Sequence, residues 1–76
     1  MTYHYVIFKE AIKRNPNDAK LHNNKATCQL KLMDFLNALK SAEKALELDP
    51  NFSKALAKKG NAHFGMKEYH KALEAF

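Results

Sequence analysis

Residues 15–52 read NPNDAKLHNNKATCQLKLMDFLNALKSAEKALELDPNF, and they open and close on the same punctuation. Asn15-Pro16-Asn17 returns as Asp49-Pro50-Asn51, so Pro16 and Pro50 stand 34 residues apart. The same step links Ala11 to Ala45, Lys20 to Lys54, Ala38 to Ala72 and Leu39 to Leu73. It also turns Phe35 into Tyr69 and Ala26 into Gly60. Self-similarity at a fixed step marks a chain built by stacking one supersecondary unit.

Helical periodicity fills the intervals. Tyr5, Phe8 and Ile12 form one apolar stripe, and Leu21, Cys28 and Leu32, with small Ala26 beside them, form a second. Phe35, Leu39, Ala42 and Leu46 make a third; Leu56, Gly60, Phe64 and Met66 a fourth; Tyr69, Leu73 and Phe76 a fifth. Pro16 and Pro50 fall between stripes, where proline ends one helix and opens the next segment. Met33-Asp34 and Lys67-Glu68 fall at short turns between paired helices, and Asn17-Asp18 and Asn51 suit helix starts. The pattern predicts an all-α chain of five helices, at about 2–14, 18–32, 35–48, 52–66 and 69–76, in a single domain without a linker.

Composition narrows the function. The chain has 76 residues, 46% hydrophobic and 28% charged, a globular balance with only two Gly and two Pro to serve turns. Net charge is +5, which favours an acidic partner: a peptide, a nucleic acid or an anionic membrane. The basic residues are spread over several faces without interleaved exposed aromatics, which argues against nucleic acid. No apolar run approaches the ~20 residues that span a bilayer, and the start MTYHYVIFKE does not read as a signal peptide. The lone Cys28 excludes an internal disulfide and suits a reducing compartment, so a cytoplasmic location is expected.

These residues resemble the tetratricopeptide repeat, a 34-residue pair of antiparallel helices with small residues where helices touch. Ala19 to Phe52 looks like one complete repeat, with Ala26 at the small position of its first helix and Phe35, Ala38 and Ala45 in its second. Residues 1–18 resemble the second helix of a preceding repeat, and 53–76 a truncated third repeat. His22, Gln29, His63 and His4 depart from the pattern, replacing aromatic, Tyr-like, Tyr-like and Ala positions. The resemblance implies an α-solenoid stacked as a right-handed superhelix, a non-catalytic protein-interaction module with no cofactor.

A narrower resemblance is carried by KEAIKRNPNDAKLHNNKA and KLMDFLNALKSAEKALELDPNFSKALAKKGNA. Both are similar to the repeat domains of the co-chaperones that bridge the seventy- and ninety-kilodalton heat-shock chaperones. In that class a groove grips the C-terminal Asp of a Glu-Glu-Val-Asp tail with Lys, Asn and Arg side chains. The resemblance assigns such gripping positions to Asn24, Lys54 and Lys58; the positions on the first repeat's first helix have no counterpart here.

Spacing supports a polar patch at the same place. Lys20 and Lys54 are repeat equivalents, as are Asn24 and Lys58, and each i, i+4 pair shares a helix face. Stacking sets the four side by side, and Thr27 and Asn61 extend the patch by a turn. Ammonium and amide groups together suit a carboxylate, and capture of a C-terminal carboxylate is a known recognition mode. Lysines and asparagines on helix faces are more often simply solvated, as Lys25 and Lys59 beside the patch are expected to be.

Other chemistry is thin. His4, His22, His63 and His70 form no ligand pair at metal-binding spacing, Cys28 reads as a small packed residue, and no nucleophile–base constellation can be assigned. The alternative to a tail-binding adaptor is an architectural segment. Tyr5, Phe8 and Ile12 at one end, and Phe64, Leu73 and Phe76 at the other, predict exposed apolar surface and pairing of the chain with itself, by helix exchange or end-to-end stacking, unless the chain is part of a longer protein.

Overall fold

The computed structural model describes residues 13, 14 and 17–75, which are helical apart from short turns. Three helices follow one another: α1 (Ala19–Lys31), α2 (Phe35–Leu48) and α3 (Ser53–Ala75). Of the helix expected over 2–14, Lys13 and Arg14 are helical; the rest, with Tyr5, Phe8 and Ile12, lies outside the described residues, as does Phe76.

The turns follow from local chemistry. α1 opens at Asp18, whose extended backbone lets its carboxylate accept the Lys20 N–H at 3.0 Å. It closes at Met33, which sits in the left-handed region at φ 60°. The Met33 N–H donates to the Leu30 carbonyl at 3.0 Å and the Asp34 N–H to the Gln29 carbonyl at 2.9 Å, the paired bonds of a Schellman stop. Asp34 then caps α2, and its carboxylate accepts from the Asn37 amide at 2.9 Å. α2 ends at Asp49, extended before Pro50, and the Asp49 carbonyl accepts the Phe52 N–H at 3.1 Å to lead the chain into α3.

α1 and α2 pack as a hairpin; α3 lies against α2 and touches α1. The contact lines are made of alanine: Ala26, Ala38, Ala42, Ala45, Ala55 and Ala62 are all fully buried. No large side chain is fully buried among the described residues. A methyl group lets two helix axes approach to the short end of the 8–10 Å range. Each such methyl contributes about 0.8 kcal/mol by leaving water. Between α1 and α2 the line also carries a buried hydrogen bond, donated by Ser41 Oγ to Gln29 Oε1 at 2.6 Å.

Two sequence expectations need correction. The first concerns the apolar stripes. On α1 the buried residues are His22, Asn23, Ala26 and Gln29, whereas Leu21 and Cys28 are half-buried and Leu32 is exposed. On α3, Leu56 is exposed and the contact residues are Ala55 and Ala62, while Phe64 is exposed, as expected of the apolar end surface. Close backbone approach favours small side chains at the contact, so bulk alone pointed to the wrong positions.

The second concerns the turn at Lys67-Glu68, expected to separate helices at 52–66 and 69–76. The structure instead holds one continuous α3 from Ser53 to Ala75. The equivalent positions explain why. Where Asp34 and Asn37 join side chains at a helix start, Glu68 and Lys71 form an i, i+3 ion pair at 4.0 Å within the helix. Met66, Lys67 and Glu68 are all good helix formers, and Glu is a poor N-cap beside Asp.

The two glycines of α3 differ in what surrounds them. A Cβ at Gly60 would meet nothing, whereas one at Gly65 would run into the Phe35 ring. Gly60→Ala should therefore stabilise the fold by about 0.5–1 kcal/mol through helix propensity, while Gly65→Ala should give none of that gain; urea titration of both variants checks the contrast. Ser41→Ala should cost about 1–2 kcal/mol in the same assay, because it strips Gln29 of a buried donor.

Candidate functional site

The starts of α1 and α3 lie side by side and leave an open groove of about 260 Å³ between them. Among the described residues it is lined by Lys20, Asn23 and Asn24 from α1 and by Phe52, Ser53 and Lys54 from the start of α3. On α1 these positions are i, i+3 and i+4, one face of one turn. On α3 they are the residue before the helix and its first two positions.

The structure thus brings together three of the six residues singled out from sequence. Lys20, Asn24 and Lys54 are exposed and share the groove. Lys58, one turn further along α3, is half-buried, and Asn61 is exposed; neither lines the groove. Thr27 is also outside it, and its hydroxyl donates to the Asn23 main-chain oxygen at 3.1 Å. Of the flanking lysines, Lys59 faces α2 and pairs with Glu43 at 3.7 Å, and Lys25 is half-buried. Both members of the Lys59–Glu43 pair are well exposed, so the bond adds little to stability.

Three groove residues were not singled out beforehand: Asn23, Phe52 and Ser53. Asn23 is only 6% exposed, and its Oδ1 has no hydrogen-bond partner. Its spacing from Lys20 could have identified it, since i, i+3 shares a face as i, i+4 does. Phe52 and Ser53 follow directly on Asp49-Pro50-Asn51, a position that stacking brings opposite the preceding repeat's first helix.

The groove's chemistry is that of a donor-rich, cationic cleft. Two ammonium groups and two side-chain amides face it, with the phenyl ring of Phe52 as its apolar element. Such a set can hold an anion. Among the described residues no cluster of three or more His, Cys, Asp or Glu could hold a metal ion. No described helix is long and apolar enough to cross a membrane.

Comparison with known proteins agrees with this architecture. Two models described as tetratricopeptide repeat match, over residues 19–52 and 41–74. The chain is 55% identical over 75 residues to Hsp70-Hsp90 organizing protein 1 of Glycine max, covering 99% of this chain and 13% of that one. It is 51% identical over 69 residues to Hsp70-Hsp90 organizing protein 3 of Arabidopsis thaliana, covering 91% of this chain and 12% of that one. A more distant relative is the Protein SGT1 homolog of Bos taurus, 39% identical over 67 residues, 88% of this chain and 20% of that one. The chain therefore spans only 12–13% of the organizing proteins' length. No solved structure matches. With the 34-residue step, the α1–α2 hairpin, the small residues along its contact line and both family models in agreement, the chain belongs to the tetratricopeptide-repeat family.

Proposed function

We propose that this chain is a non-catalytic, co-chaperone-like adaptor that grips the acidic C-terminal tail of a heat-shock chaperone, of the seventy- or ninety-kilodalton class, in the cytoplasm. The observation that supports this reading is the groove in which Lys20, Asn24 and Lys54 stand together. A terminal carboxylate has two acceptor oxygens and a full negative charge, and it matches two cations and an amide that share one cleft. Lys58, Thr27 and Asn61 would extend contacts along α1 and α3 beyond the groove, toward residues upstream of the tail's last. The relatives named for organising Hsp70 and Hsp90 point to the same ligand class.

Titration with acetylated Glu-Glu-Val-Asp tests the reading. The free acid should bind and its C-terminal amide should not. Lys54→Ala and Asn24→Ala should each weaken binding by about 1–2 kcal/mol, and affinity should fall with added salt. Equal binding of acid and amide would remove the carboxylate grip and leave the fold untouched.

A second reading, assembly through self-association, is favoured by the far half of α3. There Phe64, Tyr69 and Leu73 are 66%, 53% and 56% exposed, beside an apolar groove walled by Met33, Phe35 and Gly65. Exposed apolar surface of this kind invites a second copy. Sedimentation across a concentration series should show dimers that dissociate on dilution, and Tyr69→Lys or Leu73→Lys should shift the mixture to monomer. A monomer at every concentration rules this reading out.

A further inference from the structure

α3 carries one line of side chains that α2 covers only in part. Ala55, Lys59, Ala62, Met66, Tyr69 and Leu73 follow one another at gaps of four and three residues, the spacing that keeps a stripe turned toward a neighbouring helix. Over the first half α2 is that neighbour: Ala55 and Ala62 are fully buried, and Lys59 pairs with Glu43 of α2. α2 begins at Phe35, whose ring lies against Gly65. Past that point the stripe runs on uncovered, with Tyr69 and Leu73 more than half exposed. The charges of the same stretch, Lys67, Glu68, Lys71 and Glu74, all fall off the stripe.

The α1–α2 turn stands at the foot of this uncovered half. Leu32, Met33 and Leu36 are exposed there. Two open clefts of about 240 and 320 Å³ adjoin Tyr69, and Met33 and Phe35 line both. Together the turn and the end of α3 make an apolar corner. It admits a helix that lies along α3 and ends against Phe35, in the line that a longer α2 would fill. The uncovered stretch, Met66 to Ala75, is about 15 Å long at 1.5 Å per residue.

The chain itself supplies such a helix. The end of α3 has the required length, and its stripe is complementary to itself. Met66, Tyr69, Leu73 and Phe76 stand at gaps of three, four and three, which read the same in both directions. Laid antiparallel on itself, the stripe matches layer for layer, and the Phe35 ring stops the incoming helix and fixes the register. We infer that two copies of this chain pair about a two-fold axis through the ends of α3, each end continuing the line of the other copy's α2, with Tyr69 of each copy against Leu73 of the other. This rests on the self-association reading above and deepens it by naming the direction and the contacts. A two-fold contact uses every residue twice. Leu32, Met33, Leu36, Tyr69 and Leu73 of two copies hide on the order of 1,000 Å², near the lower bound for a specific interface, so the dimer is weak and reversible. The repeat equivalence offers a different pairing, in which the end of α3 packs over the first half of its partner's α3. That exchange would use the face around Gly60, where a Cβ meets nothing.

Paired substitutions read by sedimentation separate these arrangements, with circular dichroism to check that each variant stays helical. Tyr69→Lys and Leu73→Glu should each weaken dimerisation at least about tenfold. Mixed in equal amounts, the two should dimerise at least about tenfold more tightly than either alone, because antiparallel contact brings the ammonium of one copy to the carboxylate of the other. A mixture of Tyr69→Lys with Leu73→Lys should recover nothing, and Gly60→Lys should dimerise like the unsubstituted chain. A second readout needs no charge. In a Cys28→Ser background, Met66→Cys should form no disulfide-linked dimer, because the two copies of that position lie about 15 Å apart along the axis, beyond disulfide reach. If the unsubstituted chain dimerises but the charge-paired mixture does not recover, or Gly60→Lys abolishes the dimer, or Met66→Cys cross-links, this arrangement is overturned while self-association stands. If the unsubstituted chain is monomeric at every concentration, both fall together.

Discussion

The structure depends on the distance between helix axes, and that distance is set by methyl groups. Six alanines with no exposed surface line the contacts of three helices. Put a longer side chain at Ala26, Ala38 or Ala42 and the axes must part or the side chain must strain. The groove inherits this spacing. Lys20, Asn23 and Asn24 face Ser53 and Lys54 across a cleft whose width follows from how closely α1 and α3 are drawn together around α2.

Polar groups take part in the same packing. Gln29 and Ser41 stand on the α1–α2 contact and bond to each other, so two residues that hydropathy alone would turn outward help to fix the hairpin's register. His22 is also buried there. His22 and Gln29 are two of the positions where the chain departs from the aromatic pattern of its family. A hydrogen bond between opposing helices does here what a large ring does elsewhere, with less apolar area and more directional demand.

Much of the architecture was legible in the sequence, because the evidence for it is repetitive. The Pro16–Pro50 step placed α1 and α2 within a residue or two, and the Lys20–Lys54 equivalence placed one side of the groove opposite the other. What sequence alone missed was decided by small differences. Asp34 and Glu68 differ by one methylene, yet the first begins a helix and the second lies inside one. Asn23 and Asn24 are chemically identical neighbours. One is exposed and the other nearly buried, and only packing separates their roles.

The absence of any fully buried large side chain among the described residues has a thermal consequence. The heat-capacity increment of unfolding tracks the apolar area newly exposed to water, and a contact line of methyls hides little of it. The stability curve of such a molecule is shallow: free energy changes slowly with temperature on either side of its maximum. Heat then melts the chain over a broad interval, and cooling weakens it less than it would a protein built around leucine and phenylalanine.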